Sequence, residues 1–119
     1  MHFAVYCTDN ENTFELRNKH RVEHREYLNT QLHRIFFSGP LLADDGILQI
    51  GSLFILSVDG RAEAQDFLDH EPYSNAGIFA SVKIIRMRKG RFQPGNLCEE
   101  QEAPLSFNPF DGKAGSKSQ

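Results

Sequence analysis

The sequence predicts an α+β domain with the element order β-α-β-β-α-β. Short runs rich in β-branched and aromatic residues predict four strands, and two stretches with apolar residues at helical spacing predict two helices. A chain of 119 residues is long enough for one domain with one hydrophobic core. The composition, with 39% hydrophobic and 24% charged residues, is typical of a globular protein.

The first strand is predicted over residues 2–8 (HFAVYCT) because aromatic and β-branched residues dominate it. An amphipathic helix is predicted over residues 13–36, with Asn12 or Thr13 as its N-cap. The end of this segment is more strand-like. Residues 35–41 (IFFSGPL) are therefore expected to enter the second strand.

The second half of the chain repeats the pattern. Residues 44–46 (DDG) predict a tight turn, and residues 51–58 (GSLFILSV) predict a buried strand. Residues 61–69 predict a second helix, which Pro72 follows. A helical turn over residues 73–79 and a last strand over residues 81–88 are also expected.

This order is the ferredoxin-like plan, an antiparallel sheet with both helices on one face. The other face of such a sheet is left uncovered. In the third strand, Leu53 and Ile55 alternate with Phe54 and Leu56, so both faces of the sheet are apolar there. We therefore expect a homodimer in which the open sheet faces of two chains pack together.

Polar residues interrupt the apolar stripe of the first helix. At about 100° per residue, the apolar members of the stripe are Phe14, Leu28, Leu32 and Ile35. Arg17, Arg21 and His24 fall in the same stripe, nearer the N-terminus. This pattern predicts that the C-terminal half of the helix packs on the core and that the N-terminal half lines a cleft.

His24 is the candidate acid–base residue, because imidazole exchanges protons near neutral pH. Arg21 lies one turn before it and is placed to bind a substrate oxygen. The alternatives are a half-buried histidine with a backbone partner and an arginine that extends into solvent. His20 and His24 have the i, i+4 spacing of a metal pair, but the sequence has no HExxH motif, and no metal site is predicted.

A second polar cluster, residues 69–73 (DHEPY), follows the second helix. A carboxylate there could orient a histidine ring and stabilise its protonated form. Polar residues before a proline are also typical of an ordinary helix end, and this interpretation is favoured when the cluster is taken alone.

Several classes of function are not expected. A formal net charge of −3 gives no general attraction to nucleic acid or to an anionic membrane. Five basic residues lie close together, and we interpret them as a solvated strand edge rather than a nucleic-acid site: Lys83, Arg86, Arg88, Lys89 and Arg91. Cys7 and Cys98 have no metal-site or CxxC spacing, and no signal or membrane-spanning segment is evident. A cytoplasmic protein with free thiols is expected.

With these elements in view, residues 2–88 resemble the YciI-like (YCII-related) family. The resemblance depends on a set of short motifs in a fixed order: Asp9, Arg21-x-x-His24, Gly39-Pro40, Gly51-Ser52, Glu63-Ala64, Glu71-Pro72-Tyr73, Ala76-Gly77 and Phe79. Residues 91–119 lie outside it. This C-terminal arm is rich in Gly, Pro, Ser and acidic residues, and we predict that it is a tail or docks on the partner subunit.

The resemblance implies a dimeric ferredoxin-like α/β barrel, similar to muconolactone isomerases and antibiotic-biosynthesis monooxygenases. It also implies a histidine–aspartate acid–base centre. Carried over, the histidine is His24, and Glu71 stands where the family usually has the aspartate; Asp9 and Asp69 are alternative carboxylates. One relative removes chloride from a hydroxylated ring, which implies lyase or isomerase chemistry.

The resulting hypothesis is a cofactor-independent enzyme that acts on a small anionic or phenolic substrate. In it, His24 and Glu71 carry the chemistry, and Arg21, Asp9, Tyr73 and Ser52 bind the substrate or shape its pocket. The alternative is a non-catalytic ligand-binding or dimerisation module with the same fold.

Overall fold

The computed structural model describes residues 1–97 and confirms the predicted α+β fold. In chain order its strands and helices are β1 (His2–Asp9), α1 (Phe14–Thr30), β2 (Ile35–Leu42), β3 (Gln49–Ser57), α2 (Arg61–Asp69), α3 (Pro72–Asn75) and β4 (Phe79–Met87). After β4, residues Pro94–Asn96 form a 3₁₀ turn. The rest of the predicted arm, residues 98–119, lies outside the described residues.

The four strands form one antiparallel sheet in the order β2-β3-β1-β4. The strands β1 and β3 are central, and the buried position of β3 agrees with its apolar sequence. Gly51 of β3 is paired with Thr8 of β1. A Cβ atom built on Gly51 would lie 2.3 Å from the carbonyl oxygen of Cys7, so a larger residue would push the strands apart.

The core lies between one face of the sheet and the helices. Alternate residues of β1 and β3 are buried against the inner face of α2. Together with Val58, which follows β3, and the buried residues of α2, they form a cluster that comprises Phe3, Val5, Cys7, Phe54, Leu56, Val58, Ala64, Phe67 and Leu68. From α1, Tyr27 packs against this cluster, and its hydroxyl donates a hydrogen bond of 2.7 Å to the carbonyl of Phe67. Each large apolar side chain buried here contributes about 1.5–3 kcal/mol to stability.

Within residues 1–97, no helix covers the opposite face of the sheet. The side chains on this open face project from every strand and form a mainly apolar surface. Its most exposed apolar members are Tyr6 (41%), Phe37 (52%), Ile85 (50%) and Met87 (38%). The partly buried Ala4, Leu53 and Ile55 lie between them in the register of the sheet.

The predicted end of the first helix is wrong. The helix ends at Thr30 instead of residue 36, and Leu32, expected in the apolar stripe, is 65% exposed. Ile35 lies in β2, where its Cα partner is Leu56 of β3. A helix and a strand would both place Ile35 against the core, so its burial does not distinguish them. Pairing with the buried strand β3 outweighs the helical spacing of these residues.

Two further observations concern membrane-spanning helices and the cysteines. None of the helices described in residues 1–97 has the length and apolar character needed to cross a membrane. Cys7 is free and fully buried in β1, while Cys98 lies outside the described residues.

Candidate active site

A cavity of about 330 Å³ lies between α1 and the edge of the sheet formed by β2 and β3. Its volume is at the lower end of the range typical of small-molecule sites. Side chains from α1, both strands and α3 line it: Arg17, Arg21, His24, Arg25, Leu28, Asn29, Ser38, Gly39, Pro40, Gln49, Ser52, Phe54 and Tyr73. We refer to it as the first cavity.

Glu71 is a fully buried carboxylate beside this cavity. The residue precedes Pro72, which favours the extended backbone that Glu71 adopts (φ −81°, ψ 123°). One carboxylate oxygen, Oε1, caps α3 by accepting a hydrogen bond of 3.1 Å from the backbone N–H of Ser74. The other oxygen, Oε2, accepts a hydrogen bond from Nδ1 of His24.

His24 projects from α1 into the same region, and its side chain is 14% exposed. A carboxylate can only accept hydrogen bonds, so the contact with Glu71 places a proton on Nδ1. The ring stacks on Tyr73, with 3.9 Å between centroids and 4° between planes. The ring also makes an edge contact with Phe54, with 6.5 Å between the ring centroids. The imidazole is therefore held in one orientation. Its other nitrogen, Nε2, is the one that does not contact Glu71.

Arg17 organises the wall next to this pair and is 4% exposed. Its guanidinium forms a bidentate contact with Asp9, through Nε–Oδ2 at 2.7 Å and Nη2–Oδ1 at 2.9 Å. The same nitrogen, Nη2, also lies 2.9 Å from the carbonyl oxygen of Gly51 and 3.2 Å from the hydroxyl of Ser52. The hydroxyl of Thr13, at the start of α1, donates to Asp9 instead of capping the helix. The charge of Arg17 is thus balanced within the wall.

Tyr73 contacts both Arg17 and His24. The guanidinium carbon of Arg17 lies 4.9 Å from the centre of the Tyr73 ring. The Tyr73 hydroxyl donates a hydrogen bond of 3.3 Å to the carbonyl of Arg17. Burial raises the pKa of the Tyr73 phenol, so it stays protonated and neutral at neutral pH.

The structure brings most of the predicted site residues together. Arg21, Ser52 and Tyr73 line the first cavity with His24, and Glu71 lies against His24. The alternative carboxylates are elsewhere. Asp9 is engaged by Arg17, and it is not among the described residues that line the first cavity. Asp69 is exposed and accepts a hydrogen bond from Gln65 of the same helix.

The sequence analysis did not predict the roles of some residues of the site. Gln49 lines the first cavity and accepts a hydrogen bond of 3.2 Å from Nη1 of Arg17, yet no motif indicates it. Arg17 was visible as a polar residue in the helix stripe, although its role in holding Asp9 was not predicted. Ser38 also lines the first cavity. It lies in the edge strand β2, and the sheet order places this strand beside β3.

The permanently charged side chains among the described lining residues of the first cavity are all arginines. Three arginines and His24 line it, and no carboxylate is among its described lining residues. Such a site favours ligands with negative or partly negative oxygen atoms. As for metals, no group of three or more His, Cys, Asp or Glu residues in the described part of the chain could hold an ion. His20 instead pairs with Glu23 at 2.7 Å.

Comparison with known proteins supports the fold. No curated protein matches the chain. A solved structure similar to it is 5-chloro-2-hydroxyhydroquinone dehydrochlorinase from Burkholderia phenoliruptrix AC1100, in complex with 2,5-dihydroxybenzoquinone. The two are 27% identical with a TM-score of 0.69, over 76% of this chain and 96% of that one. The model of the YCII-related domain matches residues 1–88. With the ferredoxin-like fold in place, the chain belongs to the YCII-related family.

Proposed function

We propose that this protein is an enzyme that moves protons on a small phenolic or enolisable anionic substrate, with His24 as the acid–base residue. The observation that carries the proposal is the contact between His24 Nδ1 and the buried carboxylate of Glu71 at the first cavity. A fully buried carboxylate is costly unless it has partners, and here one of the two partners is the imidazole.

In this proposal Glu71 orients His24 and selects its tautomer. With the proton on Nδ1, the lone pair of Nε2 accepts a proton from a hydroxyl group or an acidic ring carbon of the substrate. The resulting imidazolium is stabilised by the carboxylate of Glu71, as in triads that use a buried acid. His24 then returns the proton to another atom. Such chemistry serves an elimination or an isomerisation, because neither changes the net oxidation state of the reactants.

The other cavity residues support the binding of an anionic ring. Removing a proton from a phenol or an enol leaves negative charge on oxygen, and Arg21 lies one helical turn from His24 to stabilise it. Phe54 and Tyr73 limit the cavity with flat aromatic surfaces. The similar solved enzyme is named for a hydroxylated, chlorinated ring, which makes a hydroxylated ring the substrate class that we propose here.

The test is turnover of 5-chloro-2-hydroxyhydroquinone, followed by release of chloride. We expect the unmodified protein to release chloride and Glu71→Gln to lower kcat by about 10²–10⁴-fold. Asp69→Asn is the matched control, since Asp69 is exposed and should leave kcat unchanged. In proton NMR, a strongly downfield Nδ1–H signal should be present in the unmodified protein and Asp69→Asn but absent in Glu71→Gln.

The same experiment separates this proposal from the alternative of a non-catalytic module. If 2,5-dihydroxybenzoquinone binds and no chlorinated ring is turned over, the binding module is supported. If Glu71→Gln retains full kcat, the assignment of Glu71 as the partner of His24 is wrong, whatever the substrate.

We also propose that two chains form a homodimer through the open sheet face. Every strand contributes apolar side chains to this face, and within the described residues it is exposed in a single chain. Ile85→Glu should place a charge in the interface and shift sedimentation equilibrium from dimer to monomer. Val22→Glu is the control, because Val22 is 56% exposed on α1 and away from that face. A dimer that persists in Ile85→Glu would contradict the proposal.

A further inference from the structure

A second cavity of about 310 Å³ lies next to the first, between the loop that joins β1 to α1 and the beginning of β3. Its lining residues are Asp9, Asn10, Glu11, Asn12, Thr13, Phe14, Arg17, Leu48, Gln49 and Ile50. Two of these residues, Arg17 and Gln49, also line the first cavity. Because they belong to both linings, their side chains form the partition between the two cavities.

The two halves of this partition are held with different strength. Arg17 is held by two oxygens of Asp9 and by two groups of β3, so it cannot move without breaking a buried ion pair. The Gln49 side chain, within residues 1–97, makes one hydrogen bond, a 3.2 Å contact between neutral Oε1 and Nη1 of Arg17. Gln49 is therefore the half of the partition that a substitution can remove.

The far side of the partition has a different chemistry from the first cavity. Phe14, Leu48 and Ile50 contribute apolar surface to the second cavity, and the end of β1 with the loop that follows it contributes polar residues 9–13. A ring bound beside His24 could extend into this space only where Gln49 now stands. An apolar substituent would then gain hydrophobic contact beyond that made in the first cavity.

We infer that Gln49 determines the length of the substrate, restricting it to a single ring without a long apolar substituent. The inference rests on the proposed function, because it concerns the substrate of the same cavity. It assigns Gln49 to specificity and not to proton transfer, since its side chain contacts Arg17 rather than the His24–Glu71 pair.

The test is calorimetric binding of 2,5-dihydroxybenzoquinone and of derivatives with one alkyl chain, from methyl to hexyl, on the ring. The two free ring positions of the parent compound are equivalent, so each chain length gives one isomer. In the unmodified protein we expect affinity to fall as the chain grows. In Gln49→Ala it should rise with each added carbon, by up to about fourfold per buried methylene.

Two further variants and one control complete the design. Gln49→Met keeps the length of the side chain without the hydrogen bond and should retain the limit on chain length. Gln49→Ser should lose the limit as Gln49→Ala does, which covers the case in which one variant fails to fold. Gln65→Ala, on the exposed side of α2, should behave as the unmodified protein.

The outcomes separate this inference from the proposed function. If the parent quinone binds but Gln49→Ala and Gln49→Ser still reject long chains, the role of Gln49 is wrong and the proposed function stands. The same conclusion follows if the unmodified protein binds the hexyl derivative as tightly as the parent. If the parent quinone binds to none of these proteins, the proposed substrate class fails, and the inference fails with it.

Discussion

The rings of His24 and Tyr73 lie parallel, with 3.9 Å between their centroids and 4° between their planes. This stack joins α1 to α3, two helices that are separated in the chain by β2, β3 and α2. Tyr73 also contacts the guanidinium of Arg17, another residue of α1. Tyr73 therefore positions His24 through its ring, while its hydroxyl is engaged by the backbone of Arg17.

Substitutions of Tyr73 should separate the ring from the hydroxyl. Tyr73→Phe keeps the stack and loses one hydrogen bond, so the free energy of unfolding should fall by about 0.5–1.5 kcal/mol with little change in kcat. Tyr73→Leu also loses the aromatic contacts, which should lower the free energy of unfolding by about 0.5–1.5 kcal/mol more. It should also lower kcat, because no aromatic ring then stacks on His24 to fix its orientation. Urea unfolding and chloride release measure the two effects. Equal kcat in both variants would show that the stack does not position His24.

Removing the carboxylate of Asp9 should strongly destabilise the protein. Asp9→Ala leaves the guanidinium of Arg17 buried without its ion-pair partner, which typically costs about 3–5 kcal/mol. Asp44→Ala, at an exposed turn, is the control and should change the free energy of unfolding by less than about 0.5 kcal/mol. The measurement is urea unfolding. A loss below about 1 kcal/mol in Asp9→Ala would mean that the ion pair adds little to stability.

Gly51→Ala should disturb the centre of the sheet. The added Cβ would lie 2.3 Å from the carbonyl oxygen of Cys7, which belongs to the backbone of β1 and cannot rotate away. We expect a loss of about 1–3 kcal/mol in thermal or urea unfolding. Gly90→Ala is the control, because no atom lies within 4 Å of the built Cβ there. An unfolding curve for Gly51→Ala that matches this control would show that the strands separate without cost.

Stability should fall at alkaline pH, partly through Cys7. Burial raises the pKa of the Cys7 thiol from 9.0 to about 12. The folded protein therefore keeps the thiol proton in a range where the unfolded chain releases it. This stabilising term is fully present below pH 9 and is lost as pH rises towards 12, by about 1.4 kcal/mol per pH unit.

The measurement is urea unfolding at about pH 7.5 and about pH 10.5. Cys7→Ala removes the thiol but keeps the buried tyrosines, so its stability should fall less over this interval than that of the unmodified protein. Tyr27, whose pKa burial raises to about 12, contributes equally to both proteins. Parallel pH profiles for the two proteins would contradict a buried, protonated Cys7.

Much of the fold was predictable because its signals are local. Strand β1 and helix α2 match their predicted limits to within one residue, since each is a short run with one period and a clear stop. The end of α1 was not predictable in this way. Residues 31–36 satisfy the helical period, and that period carries no information on the pairing of Ile35 with Leu56 of β3.

The candidate site divides in the same manner. His24 was identified because a polar residue interrupts the apolar stripe of one helix, which a sequence shows directly. Gln49 has no such pattern, and its importance arises from the sheet order, which places the beginning of β3 beside Arg17.

By itself, the sequence determined the order of strands and helices, the polar stripe of α1 and the set of candidate acid–base residues. Only the tertiary structure decided which carboxylate meets His24. Asp9, Asp69 and Glu71 are chemically similar, but Arg17 binds the first, the second is exposed, and the third is buried against the imidazole. The physical reason is that partner choice depends on distances between elements, and those distances are set by packing rather than by sequence spacing.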